Sequence, residues 1–492
     1  MNRITVVVPE VISRIAPEIY GHFSEHIGGV FYGGLRVGKD SDIPNIKGFR
    51  ADAVEMLRKL RPPVLRWPGG CFAETYAWRD GIGDVRPVRK NWWYPHDGRL
   101  ETNEVGTHEF IDLCEAIGAK PYFAVNVTSA TPMDARDWMD YCLSPRGSTT
   151  LSLEREKNGR AEPFDIPYWG VGNENWGGGG NMTADFYASE YRRFATVMDN
   201  VSRAPKPDGR GVTLIAGGAN GTDYAWTRGL SSSLAASGAP AGGMSFHYYT
   251  GTKYSCFDMS RDAWNSMIDR AAGIEEAVVR HYAIIRGYGL DRKMPRPLVI
   301  DEWGCWYPGG SGPSAGANLF EQQSTVRDAV ITALTLNIFN RHADKIMMAN
   351  VAQICNNLHC MLLIDGGKCV ATPSYHVFDM YKEHQGANSL RVLTDCDDGA
   401  RLSVSASEKD GGRILLTVAN LSPETDAEAR LDLLGVGGYG VESAYVLCSG
   451  DAADCNTAEH PDRVSPRKAE AEAGKPLLFP KASVTAVTLR TE

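Results

Sequence analysis

An eightfold alternation constrains what this chain can fold into more than any other feature. From about residue 17 to residue 384, short β-branched or aromatic runs take turns with stretches whose apolar residues recur at helical spacing, the pattern of repeated βα units. The runs are Ile19 to Phe23, Val64 to Arg66, Pro121 to Val127, Tyr168 to Gly172, Val212 to Gly217, Met244 to Tyr248, Leu298 to Ile300 and Ile346 to Ala352. Between them Tyr187, Tyr191, Phe194 and Met198 share one helical face behind Thr183 as N-cap, and Val54, Leu57 and Leu60 do the same in the first helix. Eight strands, each followed by a helix, predict a (β/α)8 TIM barrel, in which chemistry sits at the C-terminal ends of the strands.

After about residue 385 the rhythm becomes that of alternating strands, at Arg401 to Ala406, Arg413 to Ala419, Ala429 to Leu433, Glu442 to Leu447 and Ser483 to Leu489, separated by Gly, Pro and Asp-rich turns. This predicts a C-terminal antiparallel β-sandwich of jelly-roll type. The expected boundaries are 1–16 for an N-terminal strand (Ile4 to Val8) that joins the sandwich, 17–384 for the barrel and 385–492 for the sandwich. The polar stretch Gly450 to Lys475 reads as a long surface loop.

Composition narrows the function classes. The 492 residues suit a large barrel with one appended domain, and the formal net charge of -9 is spread without a basic run. That argues against nucleic acid or an anionic membrane surface as partner. The most apolar stretch, Ala329 to Phe339, is broken by Thr and Asn and falls short of the ~20 residues that cross a bilayer, so no membrane span is expected. Residues Met1 to Pro9 turn polar too early for a secretory signal. The 11 cysteines include no Cys-x-x-Cys pair, and Cys114 and Cys355 lie in apolar runs; they read as reduced thiols of a cytoplasmic protein.

Two glutamates carry the chemistry. Glu174 closes the run Tyr168-Trp-Gly-Val-Gly-Asn-Glu and Glu302 closes Leu298-Val-Ile-Asp-Glu. If their strands are neighbours in the barrel, the pair supplies the proton donor and the nucleophile of a glycoside hydrolase. A single strand-end Glu is otherwise a rim carboxylate, since charge at an exposed strand end costs little. Trp92, Trp93, Tyr94, Trp176, Trp303 and Trp306 follow strand ends two, four and seven and offer flat rings to sugar faces, or else pack under long loops. Trp176 and Trp303 are the two expected near the site. His22 and His26 lack the order of a His-Glu-x-x-His zinc motif, and Gly177 to Gly180 lacks the Lys-Ser/Thr ending of a phosphate loop. No metal and no cofactor are expected, and the glycine run reads as a tight loop beside Glu174.

The segments Gly21-His-Phe-Ser-Glu-His-Ile-Gly, Leu65-Arg-Trp-Pro-Gly-Gly-Cys-Phe, Gly170-Val-Gly-Asn-Glu-Asn-Trp-Gly, Ser245-Phe-His-Tyr-Tyr, Ile300-Asp-Glu-Trp-Gly and Met348-Ala-Asn-Val-Ala-Gln run through the whole barrel. In their order and spacing the chain resembles glycoside hydrolase family 51, the α-L-arabinofuranosidases, in a clan of retaining glycosidases. The resemblance implies Glu174 on strand four as a general acid/base of raised pKa and Glu302 on strand seven as an ionised nucleophile. It further implies Asn173 at the sugar 2-hydroxyl, Glu25, Tyr249 and Gln353 in the sugar pocket, Arg66 as the cation beside the nucleophile, and His247 orienting both carboxylates. It also implies arabinofuranose-containing oligosaccharides as partners and a homo-oligomer, often a hexamer. Cys71 departs from the pattern, because many members carry there an Asn that binds the sugar, and a thiol is a weak hydrogen bonder. A β-xylosidase or β-glucan-cleaving enzyme on the same scaffold is the alternative within the class. A catalytically silent carbohydrate-binding protein is the alternative outside it, and the two intact carboxylates argue against that.

Overall fold

The computed structural model describes residues 2–202, 211–365, 367–396 and 401–492. All eight expected strands form, at Gly21–Phe23, Val64–Trp67, Lys120–Val125, Tyr168–Val171, Thr213–Asn220, Gly243–Gly251, Leu298–Trp306 and Ile346–Ala352, and they close a barrel in sequence order. The first begins at Gly21, because Pro17–Tyr20 makes a tight turn in which Ile19 N donates to Ala16 O at 3.1 Å. The seventh runs on to Trp306, past the Ile300 expected from sequence. Two successive carboxylates look like a strand end, yet both are buried here because neighbouring strands supply their partners. The helices follow the predicted faces. Ala51–Leu60 buries Val54, Leu57 and Leu60, and Ala184–Ser202 buries Tyr187, Tyr191, Phe194 and Met198. Phe186 N donates to Thr183 Oγ1 at 3.3 Å, which satisfies one of the orphan amides of a helix start.

By contacts the chain forms two units, one of Met1–Tyr20, Tyr249–Val278 and Trp303–Glu492, the other of Gly21–Tyr248 and Val279–Glu302. The first unit contains a nine-stranded sheet. Its order is Arg467–Lys468, Tyr439–Leu447, Ser483–Thr491, Arg413–Asn420, Leu402–Lys409, Asn388–Asp395, Asn2–Arg14, Ala427–Leu434, Leu477–Phe479. The sheet curls so that Asn420 Nδ2 donates to Phe479 O at 3.0 Å, and Ile4, Val6, Leu416, Leu431, Phe479 and Leu489 fill one core.

Two expectations need correction. The sheet is not wholly antiparallel, since Asn2–Arg14 pairs antiparallel with Asn388–Asp395 but parallel with Ala427–Leu434. A strand that arrives from the far end of the chain is joined by no hairpin, so nothing local sets its direction. Nor is 450–475 only a surface loop. Asn456 and Val464 are buried, Asn456 Nδ2 donates to Ala371 O and Val464 O, and Arg467–Lys468 adds a short edge strand.

Within the same unit the helix Val326–Arg341 is buried at every position from Val326 to Asn340. It packs on Leu402–Lys409 and Arg413–Asn420 on one side and on the helices Arg261–Ala272 and Pro373–Tyr381 on others, which is why it shows no polar face. Asn337, fully buried, donates to Ser403 O at 2.9 Å and accepts from Ser405 Oγ and Thr417 Oγ1, each at 2.9 Å. Asn337→Ala strands these partners in a dry interface. The expected cost is about 1–3 kcal/mol, read as a lowered denaturant midpoint; an unchanged midpoint would show that the hydroxyls satisfy one another.

Candidate active site

The carboxylates and their partners all belong to the second contact unit. Arg66, at the end of the second strand, is completely buried. Its Nη1 donates to Glu302 Oε1 at 2.8 Å and its Nη2 to Asn173 Oδ1 at 2.6 Å, while Nε lies 3.9 Å from Asp301 Oδ1. The guanidinium also stands over the Phe23 ring at 4.6 Å. One cation thus links side chains of the second, fourth and seventh strands. Asp301 accepts in turn from Tyr122 OH at 3.0 Å.

His247, on the sixth strand, stands between the two glutamates. Its Nδ1 lies 2.9 Å from Glu174 Oε1 and 3.5 Å from Glu302 Oε2. Facing oxygens of the two carboxylates and the His247 nitrogen lie within 4.8 Å of one another. Glu25 joins the same space, accepting at Oε1 from Phe72 N at 3.1 Å and from Trp93 Nε1 at 3.2 Å. A Cβ placed on Gly70 would stand 3.0 Å from Glu302 Oε1, 3.4 Å from Glu25 Oε1 and 3.5 Å from Asn173 Nδ2, so three polar groups converge on one point. Asn173 Nδ2 is buried and has no hydrogen-bond partner among the described residues.

Cys71 Sγ donates to Glu174 Oε2 at 3.6 Å, so the thiol that replaces the expected amide rests on the carboxylate. Burial and then the Glu174 charge push that thiol well up, and it stays protonated. The glycine run packs beside it, as the sequence suggested. A Cβ on Gly178 would lie 2.7 Å from Cys71 Sγ.

Electrostatics correct one expectation. Burial raises the Glu174 carboxyl, but the His247 hydrogen bond and charge outweigh it, and the net direction is down rather than up. His247 is raised, because Glu302 and Glu174 outweigh the burial that opposes its charge. Both shifts favour the charged form of the Glu174–His247 pair. Glu25 is pushed up to about 7, first by burial and then by the Glu302 charge.

The aromatic expectations divide. Trp176 is half-buried, its Nε1 donating to Gly218 O at 3.1 Å, and part of its surface lines an open groove with Met182, Asp185, Asp223 and Trp226. Trp303 is no platform. It is 1 % exposed and packs between Phe339 and Phe378, because successive side chains of a strand point to opposite sides and Glu302 takes the inner one. Trp93 is the ring that reaches the site polar groups, through its bond to Glu25. Tyr249 and Gln353 lie in the other contact unit, where Tyr249 meets Trp306 edge-on at 4.9 Å and Gln353 N donates to Asn357 O at 3.3 Å.

Sequence reasoning missed Glu74, Asp301 and Tyr122. Glu74 is a lone acid in the apolar segment Cys71-Phe-Ala-Glu immediately past the second strand, and that isolation was its only signal. Among the described residues, two clusters have the composition of a metal site, Glu174 with His247 and Glu302, and Cys305 with Asp328 and His359. In the second, His359 Nδ1 accepts from Cys305 N and Nε2 contacts the Thr332 and Ser374 hydroxyls, so its imidazole is already engaged. His26 is likewise taken, by Glu101 and by Trp67 Nε1.

The opposed shifts of the Glu174–His247 pair fix a pH window. Depressed from 4.5, Glu174 contributes stability at higher pH that is lost as pH falls through its folded value; raised from 6.5, His247 contributes stability at lower pH that is lost as pH rises through its folded value. His247→Asn is therefore expected to destabilise most between about pH 4.5 and 6.5 and less above it. Denaturant midpoints of both proteins across pH 4 to 9 check this, and a penalty that grows above pH 7 contradicts it.

Comparison with known proteins agrees with the geometry. Residues 56–265 match the family described as the α-L-arabinofuranosidase 1 domain, and residues 301–483 the α-L-arabinofuranosidase C-terminal domain. A Bacteroides ovatus protein named intracellular exo-α-L-arabinofuranosidase is 39% identical, over 94% of this chain and 90% of its own length. The α-L-arabinofuranosidase C of Emericella nidulans is 30% identical, over 96% and 94%. Among solved structures, the GH51 arabinofuranosidase of Xanthomonas axonopodis pv. citri superposes with a TM-score of 0.92 at 33% identity, covering 100% of both chains. The α-L-arabinofuranosidase of Thermotoga maritima in complex with arabinose superposes with 0.87 at 27% identity, again over 100% of both. With this barrel, this carboxylate pair and these relatives, the chain belongs to the α-L-arabinofuranosidases of glycoside hydrolase family 51.

Proposed function

We propose that the protein is a retaining exo-glycosidase that releases terminal α-L-arabinofuranosyl groups from arabinoxylan- or arabinan-derived oligosaccharides. The observation that carries the retaining mechanism is the carboxylate spacing. Retaining pairs stand about 5–5.5 Å apart and inverting pairs about 6.5–9.5 Å, and facing oxygens of Glu174 and Glu302 lie within 4.8 Å. That spacing falls on the retaining side of the division.

Glu302, held at Oε1 by Arg66, attacks the anomeric carbon as the glycosidic bond breaks. The leaving oxygen takes a proton from Glu174. The 2.9 Å contact from His247 Nδ1 to Glu174 Oε1 is the route by which Glu174 is supplied with it. Water then enters, Glu174 removes its proton, and the glycosyl ester opens with Glu302 regenerated. Asn173 Nδ2 is the donor available to the sugar 2-hydroxyl, and Glu25, which accepts from Phe72 N and Trp93 Nε1, is the acceptor offered to another sugar hydroxyl. Cys71 takes part by bonding Glu174 at the pocket wall. Tyr249 and Gln353 enter the pocket by family likeness alone.

In this reading residues 17–384 hold the catalytic machinery, and 1–16 with 385–492 form the sandwich. The relative named intracellular and the 11 free cysteines support a cytoplasmic enzyme, and the family likeness supports a homo-oligomer. Among the described residues no helix is long and apolar enough to cross a membrane.

A panel of 4-nitrophenyl glycosides tests the glycone. Turnover of the α-L-arabinofuranoside, with the β-D-xyloside and β-D-glucoside left intact, is the expected result, and preference for either of the latter overturns it. Product anomers followed by NMR should first appear in the α configuration. Glu302→Ala should lose at least about a thousandfold in kcat, with azide restoring turnover as the β-configured arabinofuranosyl azide. A first-formed β anomer from the wild type, or undiminished turnover by the variant, rules the mechanism out.

A further inference from the structure

The short turn Cys71–Thr75 after the second strand grips the acid/base segment at two places. At one, the Cys71 thiol meets the Glu174 carboxylate. At the other lies Glu74, a fully buried carboxyl to which the mechanism assigns no role. Its Oε1 accepts from Asn173 N at 2.6 Å and Asn175 Nδ2 at 3.0 Å, and its Oε2 from Val127 N at 2.8 Å and Thr128 N at 2.7 Å. Burial pushes this carboxyl up to about 7, and the four N–H donors act against that by favouring its ionised form. Two of the donors belong to the residues on either side of Glu174, and the other two to the loop after the third strand.

The gripped segment has a backbone that a glutamate does not choose. Glu174 has φ +44°, in the left-handed region disfavoured by a Cβ, two residues after Gly172 at φ +88°. The glycine loop closes behind it. A Cβ on Gly179 would stand 1.6 Å from Asn173 O, and Asn175 Nδ2 donates to Gly179 O at 2.7 Å. The fourth strand ends at Val171, so no ladder hydrogen bonds hold Glu174 itself. Contacts from outside the strand must hold the turn.

We propose that Glu74 is a positioning residue for general acid/base catalysis, fixing the Asn173–Glu174–Asn175 turn to the ends of the second and third strands so that the Glu174 carboxylate stands at the leaving oxygen. This rests on the reading of Glu174 as acid/base given above. Glu302 is held by its own strand and by Arg66, and none of Glu74's four bonds goes to either. Loss of Glu74 therefore separates the two halves of the chemistry, weakening protonation while nucleophilic attack persists.

Glu74→Gln keeps the size of the side chain but sets an NH2 group against one of the two donor pairs, so half of the grip becomes repulsive. The measurement is kcat/KM on arabinofuranosides that differ only in the leaving group. For an unactivated alcohol, which needs the acid, the expected loss is about 10- to 100-fold. For 2,4-dinitrophenolate, which leaves without it, kcat/KM should stay within about threefold of wild type, and azide, which needs no base, should raise kcat. Equal losses on both leaving groups without an azide effect would mean that Glu74 only supports the fold, and an unimpaired variant would mean that it does neither; each overturns the proposal. Asn175→Ala removes one donor and keeps the carboxylate. It should show the same leaving-group dependence at smaller amplitude, and it decides the matter if Glu74→Gln does not fold. A wild type inert on every arabinofuranoside would count against the assigned reaction, before either variant is compared.

Discussion

A single buried cation organises this active site. Arg66 has no access to water, and a guanidinium in that position is tolerated only when its donors are met by acceptors of matching charge and geometry. Glu302 and Asn173 accept from its two Nη groups, and the Asp301 charge stands 3.9 Å from Nε, all from two other strand segments. The requirement runs both ways. The carboxylates could not be buried at these strand ends without Arg66, and Arg66 could not be buried without them. Glu302 and Asn173 are thereby aligned on one fork.

Around that fork, two chemically identical side chains acquire different tasks from their neighbours. Glu302 faces the guanidinium on one side and His247 on the other, within a strand buried along almost its whole length. Glu174 sits on a left-handed turn just past the end of its strand, a fifth of its side chain exposed (20%), with a thiol on one oxygen and an imidazole on the other. His247 shares its proton between them. The balance of charges favours the charged form of the Glu174–His247 pair. Two carboxylates flank the imidazole, whereas Glu174 gains a hydrogen bond and an adjacent cation by giving the proton up.

Much of this was legible in the residues. Apolar runs of strand length between helical faces placed eight strands, and put the two glutamates on the fourth and seventh of these units. What misled was local reading of residues whose environment is not local. Asp301 and Glu302 look like a strand terminus, but partners across the barrel let the strand continue to Trp306. Trp303 looks like a sugar platform because it follows a catalytic-type Glu, yet strand alternation turns it into the packing beneath the helices. Glu74 was missed, since the four donors that define it come from segments roughly 50 and 100 positions away. The parallel pairing of the N-terminal strand was invisible for the same reason, as no turn connects it to its neighbours.

The sequence by itself determined the barrel, its strand count, the β-rich C-terminal region and the identity of the two glutamates, because hydrophobic periodicity and strand-end position are properties of neighbours along the chain. Only the tertiary structure decided how far apart the carboxylates stand, which of them shares a proton with His247, and which buried acid grips the turn that presents Glu174. Distance, desolvation and charge coupling depend on groups brought together from distant parts of the chain. A pattern of residue types does not contain those quantities until the barrel has closed.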